Sequence, residues 1–225
     1  MIDTKLTPIL QAYAAKFDDI APQEQYKWEA VQHFQKHWNL DAEDFPGMLE
    51  RCLEPTANLL TARNYYPRGM INQLSRDAPE MMRTAFRLLL DESAPLAERL
   101  RDFRQYAREL TDLVLAPEKA DYQDPRACSV YLTLRYPERY GFFMFSVHKE
   151  AANQLGFEPS PKKGDLANLE HWTTMLREIT AELHSGAHED LLARHHARLT
   201  DGCYQSDREL ILAQDVAYAI RNYLN

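Results

Sequence analysis

The stretch LAERLRDFRQYARELTDLVL, Leu96 to Leu115, decides the fold class. Its apolar residues recur at spacings of four and three, which places them along one face of an α-helix. The same pattern occurs twice more towards the C-terminus, so three amphipathic helices are predicted. Their apolar stripes are Leu96, Leu100, Phe103, Ala107, Leu110 and Val114; Leu169, Trp172, Leu176, Ile179 and Leu183; and Leu210, Ala213, Ala217, Ile220 and Leu224.

The composition extends this helical prediction to the whole chain. Among 225 residues there are only seven glycines, and 45% of the residues are hydrophobic, which is enough for a substantial core. We therefore expect an all-α, multi-helix globular domain with at most one short strand or hairpin, for which the aromatic run YGFFMF, Tyr140 to Phe145, is the only candidate. Helices are predicted over residues 3–17, 23–38, 44–54, 68–76, 78–90, 94–115, 125–136, 147–155, 168–184, 187–199 and 207–224.

Capping chemistry indicates where several of these helices begin. A serine or aspartate followed three residues later by glutamate fits a capping box, and a proline fits the first turn because its missing N–H has no partner there. Four such starts are predicted, at Ser206 with Glu209, Asp77 with Glu80, Asp124 before Pro125, and Ser93 before Pro95. The carboxylate pairs Asp18 with Asp19, Asp41 with Asp44, and Asp91 with Glu92 are explained in the same way, as groups at helix ends.

One segment has the composition of a linker. GFEPSPKKGD, residues 156–165, combines glycines, prolines and paired lysines that interrupt helices and strands. It predicts a larger N-terminal helical part over residues 1–157 and a C-terminal three-helix part over residues 166–225, packed together as one domain.

Charge, cysteine content and hydropathy narrow the class of protein. The formal net charge of −8 argues against a chain that coats nucleic acid through charge alone, although a local basic patch remains compatible with it. Cys52, Cys128 and Cys203 are odd in number and widely spaced, which predicts buried free thiols. The chain has no long apolar run and no signal-peptide pattern, so we expect a cytoplasmic protein with no membrane partner.

The usual signatures of catalysis do not occur. The sequence contains no GxxxxGK[ST], GxGxxG, HExxH or GxSxG motif, so we predict no enzyme activity, no catalytic residue and no cofactor. Two histidine pairs, His33 with His37 and His184 with His188, have a spacing that can place two imidazoles on one metal ion. No carboxylate or cysteine completes either set locally, so packing at the edge of the core is expected instead, and a metal-dependent enzyme is the weakest alternative.

Basic and aromatic residues coincide in four places: Tyr26–Trp28, Arg63–Gly69, Pro125–Tyr140 and Pro161–Gly164. Cations beside aromatic rings suit nucleic acid, because the cations hold phosphate while the rings stack on exposed bases. Packing at the edge of the core explains the same residues slightly better in an acidic chain. In the string NYYPRGMI, Asn64 to Ile71, Pro67 suits the first turn of a helix and Gly69 permits a close approach. By contrast, Trp28, Val31, Phe34 and Trp38 share one helical stripe and are predicted to be core.

Several strings in these places resemble a known family. YKWEAVQHFQKHW, NLLTARNYYPRGMI, YQDPRACSVYLTLRYPERY and CYQSDRELILAQDVAYAI are similar to the region that precedes the AAA+ motor of McrB-like restriction ATPases. The resemblance runs from about Tyr26 to the end of the chain. It implies target selection in restriction or anti-phage defence, a GTP-hydrolysing motor and a McrC-like nuclease as partners, and DNA, including DNA with modified cytosine, as the target. No motor follows in this sequence, so this chain itself is not expected to hydrolyse nucleotide.

Two functions therefore stay open. The first is a DNA-recognition module, which requires the four basic-aromatic places to meet on one face and fails if they scatter. The second is a helical module that docks a partner protein or regulates a motor and binds no nucleic acid, which the acidic net charge favours. The residues predicted to bind nucleic acid are Lys27, Arg63, Tyr65, Tyr66, Arg68, Arg126, Arg135, Lys162 and Lys163.

Overall fold

The predicted all-α class is confirmed. A computed structural model describes residues 3–115 and 117–224, of which all the regular structure is helical and none is a strand. Helices account for 68% of the residues, well above the one-third that is typical of globular proteins. The described helices are α1 (Asp3–Glu24), α2 (Tyr26–His37), α3 (Phe45–Cys52), α4 (Ala57–Leu60), α5 (Pro67–Asp77), α6 (Pro79–Leu90), α7 (Leu96–Val114), α8 (Pro125–Arg135), α9 (Phe145–Leu155), α10 (Asn168–Leu183), α11 (Glu189–Arg198) and α12 (Leu210–Asn222), with a 3₁₀ turn at Glu54–Thr56 between α3 and α4.

The chain divides into two compact units. The first unit comprises residues 1–32 and 136–225, and the second comprises residues 33–135. Both sides of the predicted boundary between residues 157 and 166 lie in the first unit. The segment 156–165 is therefore a loop within that unit, between α9 and α10.

The first unit is organised around α12. Its residues from Leu210 to Ala217 are all buried, so this helix is covered on every side along most of its length. Helices α1, α9 and α10 all pack against it. A helix that is buried all round is the centre of its core, and the acidic side chain of Asp215 on such a helix needs a partner within the protein.

The second unit has an aromatic core. The ring of Phe86 on α6 lies 5.4 Å from that of Phe103 on α7 and 5.3 Å from that of Tyr131 on α8, measured between centroids. Trp38 extends the cluster, with its ring 5.4 Å from Phe86 and stacked 4.9 Å from Phe34. Phe34 is buried, as predicted, and so are Trp28 and Val31 in the first unit. Trp38 packs against this cluster but is only half-buried, so it lies at the edge of the core.

The predicted helix starts have mixed outcomes. The carboxylate of Asp124 accepts a hydrogen bond of 2.9 Å from the backbone N–H of Ala127, and Pro67 opens α5, as predicted. The two capping boxes are wrong. Asp77 ends α5 while Ala78 precedes α6, and α12 begins one residue after Glu209. The carboxylate of Glu209 instead lies 2.6 Å from Nε2 of His196, so it is held by the neighbouring helix α11.

Three further expectations concern local structure. Helix α1 continues to Glu24 instead of ending near residue 17, since buried Ile20 extends its apolar stripe. The run from Tyr140 to Phe145 is not a strand: it is irregular up to Met144, and Phe145 begins α9. All three cysteines are free and buried, as predicted. Among the described residues, no helix has the length and apolar character needed to cross a membrane.

Candidate functional site

A tight turn between α4 and α5 presents the basic-aromatic string. Ala62 and Tyr65 exchange backbone hydrogen bonds of 2.8 and 3.1 Å, so only Arg63 and Asn64 lie between them at the tip. Both tip residues are exposed. Among the described residues, no hydrogen bond or ion pair to the guanidinium of Arg63 is found, so this cation is available at the surface.

Tyr65 locks this turn to the start of α8. Its hydroxyl donates a 2.7 Å hydrogen bond to Asp124, the same carboxylate that caps α8. Burial and the neighbouring charge of Asp124 raise the pKa of Tyr65, so its hydroxyl keeps its proton. The guanidinium carbon of Arg126 lies 4.7 Å from the centre of the Tyr65 ring, a cation–π contact. Two of the four predicted basic-aromatic places therefore meet here.

A second connection fixes the start of α5. The side-chain amide of buried Gln123 donates to the carbonyl of Pro67 at 3.1 Å and accepts a 2.8 Å hydrogen bond from the hydroxyl of Tyr131. Arg126 is held as well, since it donates to the carbonyl of Leu59 at 3.3 Å. The surface is therefore built on side chains that are held by hydrogen bonds to neighbouring elements.

Tyr66 differs from Tyr65 in that 53% of it is exposed. Its ring lies directly over Gly69, because a Cβ at position 69 would come within 1.8 Å of the ring carbon Cε1. Glycine is thus required for this contact, as the sequence predicts for a close approach. The result is an aromatic ring that is supported beneath by α5 and accessible to solvent.

Beside this ring a polar groove of about 700 Å³ separates α3 from α5. Aliphatic side chains do not contribute to it. The groove is lined by Gly47, Glu50, Arg51, Glu54, Tyr66, Arg68, Gly69, Asn72, Gln73 and Arg76.

The two arginines of α5 in this groove have weak partners. Arg68 donates a 2.8 Å hydrogen bond to the carbonyl of Glu54. Arg76 pairs with Glu50 at 3.0 Å, but their side chains are 47% and 58% exposed. Exposed ion pairs of this kind contribute little to stability, about 0–1 kcal/mol, so either arginine can exchange its partner for a ligand at low cost.

Lys27 must be removed from the predicted binding residues. It is 2% exposed, and its ammonium pairs with Asp215 and, at 2.9 Å, with Glu24. Burial alone would lower the pKa of Lys27, but the two carboxylates outweigh burial and raise it, so the lysine is charged and already neutralised. The neighbouring aromatic residue Trp28 is also buried, so the Tyr26–Trp28 place is core and not surface. The requirement that all four basic-aromatic places share one face is therefore not met.

The remaining residues that were predicted to bind nucleic acid do not line the groove. Arg135 is half-buried at the end of α8, where its carbonyl accepts a 2.9 Å hydrogen bond from Gln35. Lys162 and Lys163 are exposed in the 156–165 loop of the first unit. The backbone of Lys162 is held by two hydrogen bonds with the amide of Asn168, which leaves the lysine side chains outside that interaction.

Three of the four paired histidines have a ring nitrogen close to a protein oxygen atom. Nε2 of His33 lies 2.8 Å from the carbonyl of Arg51, and Nδ1 of His37 lies 2.8 Å from the carbonyl of His33. His188 is buried with Nε2 3.5 Å from a carboxylate oxygen of Glu182. Within the described ranges, no group of three or more histidine, cysteine or acidic side chains is arranged to hold a metal ion.

Sequence reasoning missed Asn72, Gln73 and Arg76. A signal was present for two of them, because Asn72 and Arg76 follow Arg68 by four and eight positions, which places them on one face of α5. Comparison of the chain with protein-family models, with curated proteins and with solved structures finds no match. The functional argument therefore rests on the arrangement of these side chains.

Proposed function

We propose that the chain is a DNA-recognition module and that the second unit carries its binding surface. The observation that supports this most is the junction of the 62–65 turn with α8, where Arg63 is exposed beside the stacked pair Tyr65 and Arg126. Arginines at the surface contact phosphates, and exposed aromatic rings such as Tyr66 stack on unpaired bases. Arg63, Arg68 and Arg126 are the proposed phosphate contacts.

The distribution of charge is compatible with this surface. Residues 33–135 contain 14 lysines and arginines against 16 acidic residues, a net charge of −2, whereas the rest of the chain carries −6. Twelve of those 14 basic residues are arginine, the side chain best suited to paired hydrogen bonds with phosphate. The second unit is therefore the less acidic half of the chain.

The broader role follows the family resemblance and belongs to the proposal. The module would be non-catalytic and cytoplasmic and would select DNA, including DNA with modified cytosine, for a McrB-like motor and a McrC-like nuclease. Within the chain, the supporting features are the exposed guanidinium of Arg63 and the exposed ring of Tyr66, both in the second unit.

The direct test is a binding measurement on matched duplexes with unmodified and modified cytosine, at several salt concentrations. Three phosphate contacts predict that log K falls with log salt with a slope of about −2 to −3. A dependence on cytosine modification would add support for the restriction role. The proposal fails if no duplex binds at low salt.

One observation favours the alternative, a protein-interaction module that binds no nucleic acid. Leu113 is 69% exposed and Leu115 is 38% exposed, both at the end of α7. Exposed apolar side chains mark protein contacts where they form a contiguous patch. If DNA does not bind, the Leu113→Ser variant should be tested for the loss of binding to a partner protein.

A further inference from the structure

The groove between α3 and α5 selects for a polar ligand of moderate size. Its volume of about 700 Å³ is within the range of pockets that hold small organic groups, about 300–1,000 Å³. Its lining contains charged, amide, glycine and tyrosine residues but no aliphatic side chain. An apolar peptide or a lipid tail would find no matching surface there.

At one end of the groove Tyr66 provides a flat aromatic surface. Gly69 supports one side of the ring, while 53% of the residue stays exposed. An aromatic ring in this position can stack on a nucleobase, and such stacking does not depend on which base is present. Because the ring is held without burial, it does not have to be uncovered before a ligand arrives.

Along the groove, α5 offers polar groups at helical spacing. Arg68, Asn72 and Arg76 lie four residues apart, so they extend over about 12 Å of one helix face. The side-chain oxygen of Asn72 is buried and accepts no hydrogen bond within the described part of the chain. Because no hydrogen bond to this oxygen holds the Asn72 side-chain amide in place, the amide can rotate towards a ligand. An amide can both donate hydrogen bonds to the edge of a base and accept them from it.

The groove also offers a place for phosphate. The exposed pair of Arg76 with Glu50 is weak, and a phosphate can take the place of the carboxylate as the acceptor. Arg68 has a single hydrogen bond to a backbone carbonyl, so its second terminal nitrogen is not used by that bond. An aromatic surface, an amide and two arginines in one groove match the parts of a nucleotide.

We propose that this groove binds unpaired nucleotides of a nucleic-acid strand, with a base on Tyr66, its edge at Asn72 and a phosphate at Arg68 or Arg76. The strand is unpaired because bases within a duplex are covered on both faces by their neighbours and cannot stack on Tyr66. This inference rests on the proposed function and deepens it. It gives the groove a different role from that of Arg63 and Arg126, which contact the phosphates of paired and unpaired strands alike.

The test compares a fluorescently labelled 12-nucleotide single strand with the duplex of the same sequence, by fluorescence anisotropy. Tyr66→Ala should weaken single-strand binding about tenfold and leave duplex binding within about twofold of wild type. Tyr66→Phe keeps the ring and should bind as wild type does. Gly69→Ala should reproduce the loss, since the added methyl displaces the Tyr66 ring without a change of charge, and alanine is favoured in a helix.

A matched control isolates the arginine of the groove. The side chain of Arg87 on α6 is 52% exposed and pairs with Asp41 at 2.9 Å, much as Arg76 pairs with Glu50. Unlike Arg76, Arg87 does not line the groove. Arg76→Ala should weaken single-strand binding severalfold, and Arg87→Ala should not. Circular dichroism on each variant confirms that the fold is retained.

Four results would overturn the inference. Equal losses for single strand and duplex would mean that Tyr66 does not act on unpaired bases. Duplex binding without single-strand binding would remove the inference and leave the proposed function intact, whereas binding of neither would remove both. A free nucleoside monophosphate that displaced the strand at equal nucleotide concentration would assign the groove to free nucleotides instead.

Discussion

The ammonium group of Lys27 forms a buried ion pair with the carboxylate of Asp215, although 188 residues separate them in the sequence. Glu24 adds a second carboxylate at 2.9 Å, and the hydroxyl of Tyr13 lies 3.5 Å from Asp215. Burial raises the pKa of Asp215 even though Lys27 acts to lower it. The net gain from such a pair is small, yet the loss of one partner is costly, because the other charge is then buried alone.

Replacement of Lys27 by methionine is therefore expected to destabilise the first unit by about 3–5 kcal/mol. Chemical denaturation measures this change, and DNA binding by the folded fraction should not be affected. Lys162→Met is the control, since Lys162 is exposed, and it should alter stability by less than about 0.5 kcal/mol. If the Lys27→Met protein keeps its stability but loses DNA binding, Lys27 is a DNA-binding residue after all, in spite of its burial.

His148 predicts a dependence of stability on pH. It is fully buried beside Phe143 and Trp172, and neither ring nitrogen has a hydrogen-bond partner among the described residues. Burial first, and then the charge of His171, lower the pKa of His148 from 6.5 to about 4. A folded-state pKa below the unfolded value means that the stability is complete above about pH 6.5 and declines as pH falls towards 4.

The expected loss across this range is roughly 3 kcal/mol, from about 1.4 kcal/mol for each pH unit of difference. His148→Leu should remove most of it, because leucine takes up no proton, and melting temperatures between pH 7 and pH 4 measure the change. His184→Leu is the control: this histidine is exposed and its replacement should leave the acid sensitivity unchanged. Equal acid sensitivity in wild type and His148→Leu would assign it to other groups.

Trp38 is expected to be a packing residue. Its ring stacks on Phe34 and contacts Phe45 and Phe86, so Trp38→Ala empties a large aromatic position. A loss of about 3 kcal/mol is expected, at the low end for buried tryptophan because Trp38 is only half-buried. Leu113→Ala, at a position 69% exposed, should cost less than about 0.5 kcal/mol. Unchanged stability together with lost ligand binding would contradict the core assignment.

The periodicity of apolar residues predicts where the long helices lie, but it does not predict the residues at which they begin. The apolar stripe of Leu96 to Leu110 predicts residues 94–115, and α7 occupies Leu96–Val114. The capping box at Ser206 and Glu209 failed for a tertiary reason. His196, 13 residues earlier, takes the carboxylate of Glu209, and short sequence patterns do not contain that competition.

The candidate site shows the same limit. The ring of Tyr66 over Gly69 is a contact between residues three apart, so the string NYYPRGMI predicts a close approach there. The bond from Tyr65 to Asp124 spans 59 residues, and the pairing of Lys27 spans 188. No local pattern distinguishes a lysine that reaches phosphate from one that is neutralised inside a core.

The final prediction separates the recognition role of the turn from a structural one. Arg68 donates to the carbonyl of Glu54, and Arg63 lies exposed at the tip, so neither side chain is part of the core. Arg63→Ala and Arg68→Ala should each weaken duplex binding and reduce the salt slope by about 0.9, the value for one phosphate contact. The melting temperature should change by no more than a few degrees, because surface changes are usually within about 0.5 kcal/mol.

Arg87→Ala again serves as the control, since it removes an exposed arginine of the same unit away from the turn. It should leave the salt slope unchanged, which excludes a general effect of net charge. If Arg68→Ala unfolds the second unit, its hydrogen bond to Glu54 is structural and Arg63→Ala becomes the decisive variant. If neither variant changes the slope while wild type binds DNA, the phosphate contacts lie outside the 62–65 turn and the start of α5.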